Sequence, residues 1–100
     1  MRVIKVFPDY CSSGLWGEDG CNLWADSFAD VVGVVELTLL RYWHEAWEFL
    51  LMDGQMEDPP VQRMSNHYVL RWDGDGKELV ARWNAMQNIY NFIYEGDYWK

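Results

Sequence analysis

Residues 34–52 read VVELTLLRYWHEAWEFLLM, and this stretch decides the fold because its apolar residues recur at helical spacing. At about 100° per residue, one broad face collects the apolar positions Leu39, Leu40, Trp43, Ala46, Trp47, Leu50 and Leu51. The opposite side is polar and holds Thr38, Arg41, Glu45 and Glu48. Tyr42 and Phe49 fall on the shoulder between the two faces. We predict an amphipathic helix from Val34 to Met52 that ends at Asp53-Gly54, where glycine serves as the C-cap.

The segments before this helix predict one strand and a long loop. Residues 2–7 are β-branched and aromatic and stop at Pro8-Asp9, which indicates a first strand. Residues 8–22 are rich in glycine and polar residues, so we predict a loop, with Leu15 and Trp16 held against the body of the domain. Residues 23–33 are ambiguous and are consistent with a short helical turn that begins near Asp26 or Ser27.

The segments after the helix predict a second strand and a second helix. Residues 53–66 contain Pro59-Pro60 and indicate a connecting loop. Residues 67–72 are interpreted as a strand, followed by the turn Asp73-Gly74-Asp75-Gly76 and a helix from Gly76 to Asn88. Residues 89–94 either extend that helix or form a third strand, and their apolar run slightly favours the strand. The expected fold is one α+β domain over residues 1–100, a small sheet of two or three strands covered by two amphipathic helices.

Composition indicates a single globular domain. The chain has 100 residues, of which 50% are apolar and 24% charged, a balance that excludes a disordered chain. It holds seven Trp, six Tyr and four Phe, more rings than a small core buries, so several should be exposed as interface anchors. The N-terminus lacks a secretory signal and the longest apolar run, 31–40, is half the length of a membrane span, so we expect a cytoplasmic protein without membrane contact. Cys11 and Cys21 are accordingly expected to be reduced thiols, although a disulfide is geometrically possible.

Charge is concentrated in one segment. Eight of the sixteen acidic residues lie between Asp26 and Asp58, against the single base Arg41, and they account for nearly all of the net charge of −8. Such a surface repels nucleic acid and anionic membranes and steers basic proteins toward it. A plain solvated helix face is an equally simple interpretation of Glu45 and Glu48.

No residue pattern reaches a firm catalytic, metal or cofactor motif. His44 and Glu48 have metal-ligand spacing, but a zinc helix needs two imidazoles and a third ligand, so we expect His44 to form hydrogen bonds within the fold. The segment beginning at Asp73 partly matches a calcium loop, but its twelfth position is Asn84, so we favour a turn with Asp75 near a helix N-terminus. Cys11 and the segment 12–14 lack a nucleophile signature. We expect no catalytic residue, no metal and no cofactor.

One resemblance covers about a quarter of the chain. The segments Val6-Phe7-Pro8-Asp9-Tyr10-Cys11-Ser12-Ser13-Gly14-Leu15-Trp16 and Gly74-Asp75-Gly76-Lys77-Glu78-Leu79-Val80-Ala81-Arg82 resemble a group of small, uncharacterised bacterial proteins. The resemblance implies that the Trp16 loop is a structural signature and carries no catalytic assignment. In size, charge and tryptophan content, the chain is also similar to immunity proteins of polymorphic toxin systems, including contact-dependent growth inhibition.

The leading hypothesis is an immunity or inhibitor protein that binds and neutralises a basic toxin domain, with a nuclease as the expected class of toxin, and that is not an enzyme. The expected partner-binding residues lie on or just beyond the long helix: Tyr42, Glu45, Glu48, Phe49, Asp53, Glu57 and Asp58. The alternatives are a phage-type inhibitor that mimics DNA, a small enzyme or ligand-binding domain using the Cys11/Trp16 loop, and a structural subunit whose aromatics are buried in a homodimer. The sequence leaves monomer and homodimer equally open.

Overall fold

A computed structural model describes residues 1–52 and 67–95, with the side chain of His67 excepted. The elements in chain order are β1 (Arg2–Val6), β2 (Leu15–Gly17), β3 (Asn22–Leu23), a 3₁₀ turn (Ala25–Phe28), α1 (Ala29–Val32), α2 (Val34–Met52), α3 (His67–Met86) and β4 (Tyr90–Tyr94). This is a mixed α+β domain, so the predicted fold class is confirmed. Asp53-Gly54 and the predicted loop over 53–66 lie outside the described residues.

The sheet has the order β3-β2-β1-β4, with β1 at its centre. β1 pairs antiparallel with β2 and parallel with β4, and β2 pairs antiparallel with β3. Ile4 and Val6 of β1 are fully buried, as alternate residues on the covered face of a strand should be. The strand predicted near residues 2–7 is therefore confirmed, and so is the strand interpretation of 89–94. The predicted loop over 8–22 is only partly correct because it contains β2.

The loop between β1 and β2 is held against the body, as predicted. Leu15 is fully buried, and the rings of Phe7 and Trp16 stack at 4.8 Å with an interplanar angle of 4°. Trp16 Nε1 also donates to the Phe7 carbonyl at 3.0 Å. These contacts hold both ends of the loop that carries Ser12 and Ser13.

Helix α2 has the predicted bounds. Its buried side chains are Leu37, Leu40, Trp43, His44 and Trp47, a set spaced three and four residues apart. This inner face packs on α3 and on the sheet, and the outer face is left to solvent. The short helical turn expected in 23–33 is also present, as the 3₁₀ turn and α1.

Helix α3 corrects the largest error of the sequence interpretation. Residues 67–72 were predicted as a strand and 73–76 as a turn, but α3 runs unbroken from His67 to Met86. Asp75 therefore lies inside the helix and not near its N-terminus. The buried positions Val69, Trp72, Leu79 and Trp83 follow the helical period across the two glycines.

The interface between α2 and α3 explains why the Asp-Gly pairs form helix. The indoles of Trp43 and Trp72 stack at 4.9 Å and 6°, and each ring N–H donates to the other residue's carbonyl, at 3.1 and 2.8 Å. A Cβ on Gly76 would lie 2.7 Å from Trp43 Nε1 and 2.5 Å from Tyr94 Cε1, so only glycine permits this approach. The buried Asp73 is bonded to the Tyr94 hydroxyl at 2.8 Å and to Lys77 Nζ at 3.0 Å. Tertiary packing thus overrides the local turn preference.

A second polar contact joins the same helices further along. Glu36 Oε1 accepts from Arg82 Nε at 2.8 Å and from Trp83 Nε1 at 2.9 Å. The Glu36 side chain is 14% exposed, so water competes little for this carboxylate.

Within the described part of the chain, no helix is long and apolar enough to cross a membrane.

Candidate functional site

The outer face of α2 carries four of the predicted partner-binding residues, and we call Tyr42, Glu45, Glu48 and Phe49 the acidic crest. Tyr42 is 57% exposed and Phe49 70% exposed. The side chains of Glu45 and Glu48 are about half exposed. Spacings of three, four and seven residues place all four on one side of the helix. The other predicted members, Asp53, Glu57 and Asp58, lie outside the described residues.

The acidic crest is a ridge between two grooves. Glu45 and Glu48 line a groove on the side of the N-terminal loop, whereas Tyr42 lines a groove on the side of α3. Phe49 is the more exposed of the two aromatics and stands on the ridge itself. The sequence predicts that these four residues share the exposed side of the helix, with the two aromatics on its shoulder, but it does not predict the two grooves that flank them.

Arg41 partly offsets the negative charge of the crest. Its Nε lies 4.0 Å from Glu45 Oε1, and its guanidinium carbon lies 5.5 Å from the centre of the Tyr42 ring. A pair at that distance between exposed side chains contributes little stability, because water and salt screen it. Both carboxylates of the crest therefore keep most of their ability to accept hydrogen bonds from another molecule.

The first groove, which we call the loop groove, lies between Ser12-Ser13, residues 25–29 and α2, with a volume of about 610 Å³. Its aliphatic lining consists of Ala25, Ala29, Val34, Leu37 and Leu40. Its charged lining consists of Asp26, Arg41, Glu45 and Glu48. Sequence reasoning did not assign Ser12, Ser13, Asp26 or Arg41 to a site. No local pattern connects these residues, because three separate segments meet only in the folded chain.

His44 closes the inner end of the loop groove and ties α2 to the loop. Its Nε2 lies 2.9 Å from the Asp9 carbonyl oxygen, to which it donates, and 3.3 Å from Ser12 Oγ. The hydrogen bonds confirm the prediction that His44 bonds within the fold. Ser12 Oγ also donates to the Asp9 carbonyl, at 2.9 Å, so one oxygen anchors both side chains.

The protonation of His44 is governed by burial. Its ring is almost fully buried, and this burial lowers the pKa of His44 below the ordinary 6.5. The hydrogen bond to Asp9 and the nearby carboxylates, of which Glu48 is the nearest at 3.8 Å from Nδ1, oppose the shift without reversing it. His44 is therefore neutral at neutral pH, and it does not cancel the charge of Glu48.

The second groove, the interhelix groove, lies between α2 and α3 and has a volume of about 520 Å³. Its charged residues balance in sign: Arg71 and Arg82 against Asp75 and Glu78. The rest of its lining is aromatic and aliphatic, with Tyr42 and Tyr68 at the exposed edge. Nothing in its charge selects a partner of either sign.

The two cysteines are free and exposed. Hydrogen bonding to Asp19 and the charge of that carboxylate raise the pKa of the Cys21 thiol, which makes it a poor nucleophile. Cys11 adopts a left-handed backbone conformation, with φ of 56°, at the start of the turn that presents Ser12. Among residues 1–52 and 67–95, no group of three or more His, Cys, Asp and Glu side chains is arranged to hold a metal ion.

No protein-family model matches the chain, and comparison with curated proteins finds no significant match. The resemblance of the Trp16 loop to the small bacterial group therefore stays a prediction.

Proposed function

We propose that this protein is a cytoplasmic immunity or inhibitor protein that binds and neutralises a basic toxin domain of the nuclease class. The observation that carries the proposal is the acidic crest, where Tyr42 and Phe49 are exposed beside Glu45 and Glu48. Exposed rings flanked by carboxylates match what a basic protein surface requires of its binding partner.

The two residue types on the crest have different tasks. Glu45 and Glu48 attract the partner over several ångströms and raise the association rate. Tyr42 and Phe49 lose their contact with water on binding and slow dissociation. The same carboxylates, occupying a cationic surface that otherwise meets nucleic acid, would block a nuclease directly.

The first test is affinity capture of the tagged protein from its host lysate at low and high salt, with mass spectrometry of what is retained. We expect one stoichiometric basic protein, lost as the salt concentration rises. An empty column at low salt would contradict the proposal.

Variants then locate the binding surface with the captured partner. Reversing Glu45 and Glu48 to lysine should slow association most strongly at low salt. The matched control is reversal of Asp75 and Glu78, which makes the same change in net charge on α3. If both pairs slow association equally, net charge and not the acidic crest drives binding.

The aromatic residues have their own control. Tyr42→Ala combined with Phe49→Ala should speed dissociation by at least about tenfold, the scale of a lost anchor. Ile89→Ala removes an exposed apolar side chain from the turn between α3 and β4 and should leave dissociation unchanged. Equal effects of the two changes would exclude the crest as the anchor.

A second candidate, a small hydrolytic enzyme, is favoured by one observation in the loop groove. Ser12 Oγ lies 3.3 Å from His44 Nε2, and Glu48 Oε1 lies 3.8 Å from Nδ1 of the same ring. This order suits a serine that attacks an acyl carbon while His44 takes its proton and Glu48 stabilises the imidazolium. The Ser12 hydroxyl, however, donates to the Asp9 carbonyl, and Nε2 of the neutral His44 ring donates its proton to the same oxygen. The hydroxyl would have to turn and the ring proton would have to move to Nδ1 before Nε2 could accept a proton from Ser12.

Labelling with a fluorophosphonate probe separates the two candidates. Modification of the native protein that is lost in Ser12→Ala but kept in Ser13→Ala would support the enzyme. Absence of labelling, with partner capture intact, would leave the inhibitor as the function. Alkylation of Cys11 tests whether its thiol is the nucleophile instead: loss of an activity would support an enzyme, and intact partner capture would leave the inhibitor as the function.

A further inference from the structure

We propose that the loop groove binds an arginine side chain presented by the basic partner. The inference rests on the proposed function only in naming a protein as the source of the arginine. It adds a binding site that shares Glu45 and Glu48 with the acidic crest, and it states the chemistry of the occupant.

The lining of the loop groove matches an amphipathic side chain. The floor is aliphatic, formed by small and branched residues of the 3₁₀ turn, α1 and α2 such as Ala29 and Leu37. An arginine buries its methylene stem on such a surface and keeps its guanidinium at the polar rim. The groove volume of about 610 Å³ is ample for one such side chain together with the backbone that carries it.

The loop groove is also complementary in charge to a cation. Three carboxylates, of Asp26, Glu45 and Glu48, line the groove against one guanidinium, that of Arg41. A partner cation gains attraction here, whereas an anion or a nucleic-acid backbone is repelled. The balanced interhelix groove offers no such preference.

The carboxylates of the loop groove are open to a new hydrogen-bond donor. Asp26 forms no ion pair with the residues that the structure describes. Among residues 1–52 and 67–95, Glu45 pairs with Arg41 alone, at 4.0 Å, and Glu48 faces a histidine that burial keeps neutral. Glu45 and Glu48 are three residues apart on one helix, so a planar fork of N–H donors can address both. This geometry favours arginine over lysine.

Arg41 provides a second test, because its removal should change the affinity for arginine in the opposite direction from removal of a carboxylate. It lies at the rim of the groove with its side chain 65% exposed, and it competes with any incoming cation for Glu45. Its removal should strengthen binding of an arginine, whereas removal of a carboxylate should weaken it. A groove that selects only for apolar surface would show neither effect.

The experiment is an NMR titration of the full chain, labelled with ¹⁵N, with acetyl-Leu-Arg-Leu-amide. The matched probe replaces arginine by citrulline, which keeps the shape and removes the charge. We expect saturable shifts at the amides of Ala29, Leu37 and Glu45 with the arginine peptide, and binding at least about tenfold weaker with citrulline, a factor worth about 1.4 kcal/mol. Glu48→Gln should lower the affinity for the arginine peptide several-fold, and Arg41→Gln should raise that affinity. The Glu48 side chain is about half exposed and that of Arg41 is mostly exposed, and the dispersion of the spectrum confirms that each variant is folded.

The outcomes separate this inference from the proposed function. Equal binding of the two peptides, shifts centred on the interhelix groove, or no binding at all would overturn the arginine site, even if a basic partner is captured through the crest. Binding of the arginine peptide in the loop groove without any captured partner would support the site and remove the inhibitor function.

Discussion

The inner and outer faces of α2 use the same kinds of residue for opposite purposes. Trp43 is 6% exposed and stacked on Trp72, whereas the residue directly before it, Tyr42, is 57% exposed. On the inner face the polar atoms of the tryptophan pair bond to each other's backbone. On the outer face the rings and carboxylates have loose contacts at most. One helix thus divides into a face that holds the fold together and a face available for recognition.

The largest effect on stability should come from closing the space that Gly76 leaves. The Cβ added by Gly76→Ala would clash with the rings of Trp43 and Tyr94 and push both away from α3. We expect the free energy of unfolding to fall by about 2–3 kcal/mol. Gly74→Ala is the matched control, because no atom lies within 4 Å of its added Cβ and alanine favours helix by up to about 1 kcal/mol. Urea denaturation measures the free energy of unfolding of both variants. Equal stability of the two variants would mean that α2 and α3 do not approach as closely as described.

The next effect should come from the buried carboxylate between the helices. Glu36→Gln removes the charge that Arg82 and Trp83 share, and we expect a loss of about 1–2 kcal/mol. Glu78→Gln removes a carboxylate 3.8 Å from the same arginine, but its side chain is 74% exposed, so the loss should be below about 0.5 kcal/mol. Urea denaturation of the two variants measures both losses. A larger loss of unfolding free energy from Glu78→Gln than from Glu36→Gln would contradict this prediction.

A smaller effect should appear as a dependence of stability on pH. Because burial lowers the pKa of His44 in the folded state, the unfolded chain binds this proton first as the pH falls. The stability from neutral His44 is therefore fully present above its ordinary pKa of 6.5 and is lost as the pH falls through the folded pKa. His44→Gln should flatten the change in urea midpoint between about pH 7 and pH 5 relative to the native chain. Parallel profiles for the two proteins would show that another group is responsible.

The smallest effect on stability belongs to the acidic crest. Tyr42→Ala and Phe49→Ala remove side chains that are mostly exposed, so each should change the unfolding free energy by less than about 0.5 kcal/mol. The same two changes are expected to matter for partner binding. If either variant unfolds readily, the outer face is part of the core and cannot be a free recognition surface.

The sequence predicted helix α2 correctly because its apolar period is long and uninterrupted. It failed for α3 because Asp73-Gly74-Asp75-Gly76 has the composition of a turn. The reasons for helix there lie elsewhere in the chain, in the ring of Trp43 that needs the missing Cβ of Gly76 and in the hydroxyl of Tyr94 that bonds Asp73. Such contacts between distant residues have no local signature.

The candidate site divides in the same way. Tyr42, Glu45, Glu48 and Phe49 were predictable because helical spacing alone places them together. The loop groove was not, since Ser12 and Asp26 reach α2 only through the packing of the loop and the 3₁₀ turn. Sequence reasoning therefore found the ridge and missed the groove beside it.

The stacked tryptophans of the inner face also give the molecule an optical property. Two nearly parallel indoles 4.9 Å apart couple their ultraviolet transitions, so their circular dichroism depends on the pair and not on either ring alone. Trp43 lies on α2 and Trp72 on α3, and this signal therefore reports directly on the docking of the two helices. Partner binding at the outer face can be followed by other probes while this internal signal shows whether the two helices stay docked.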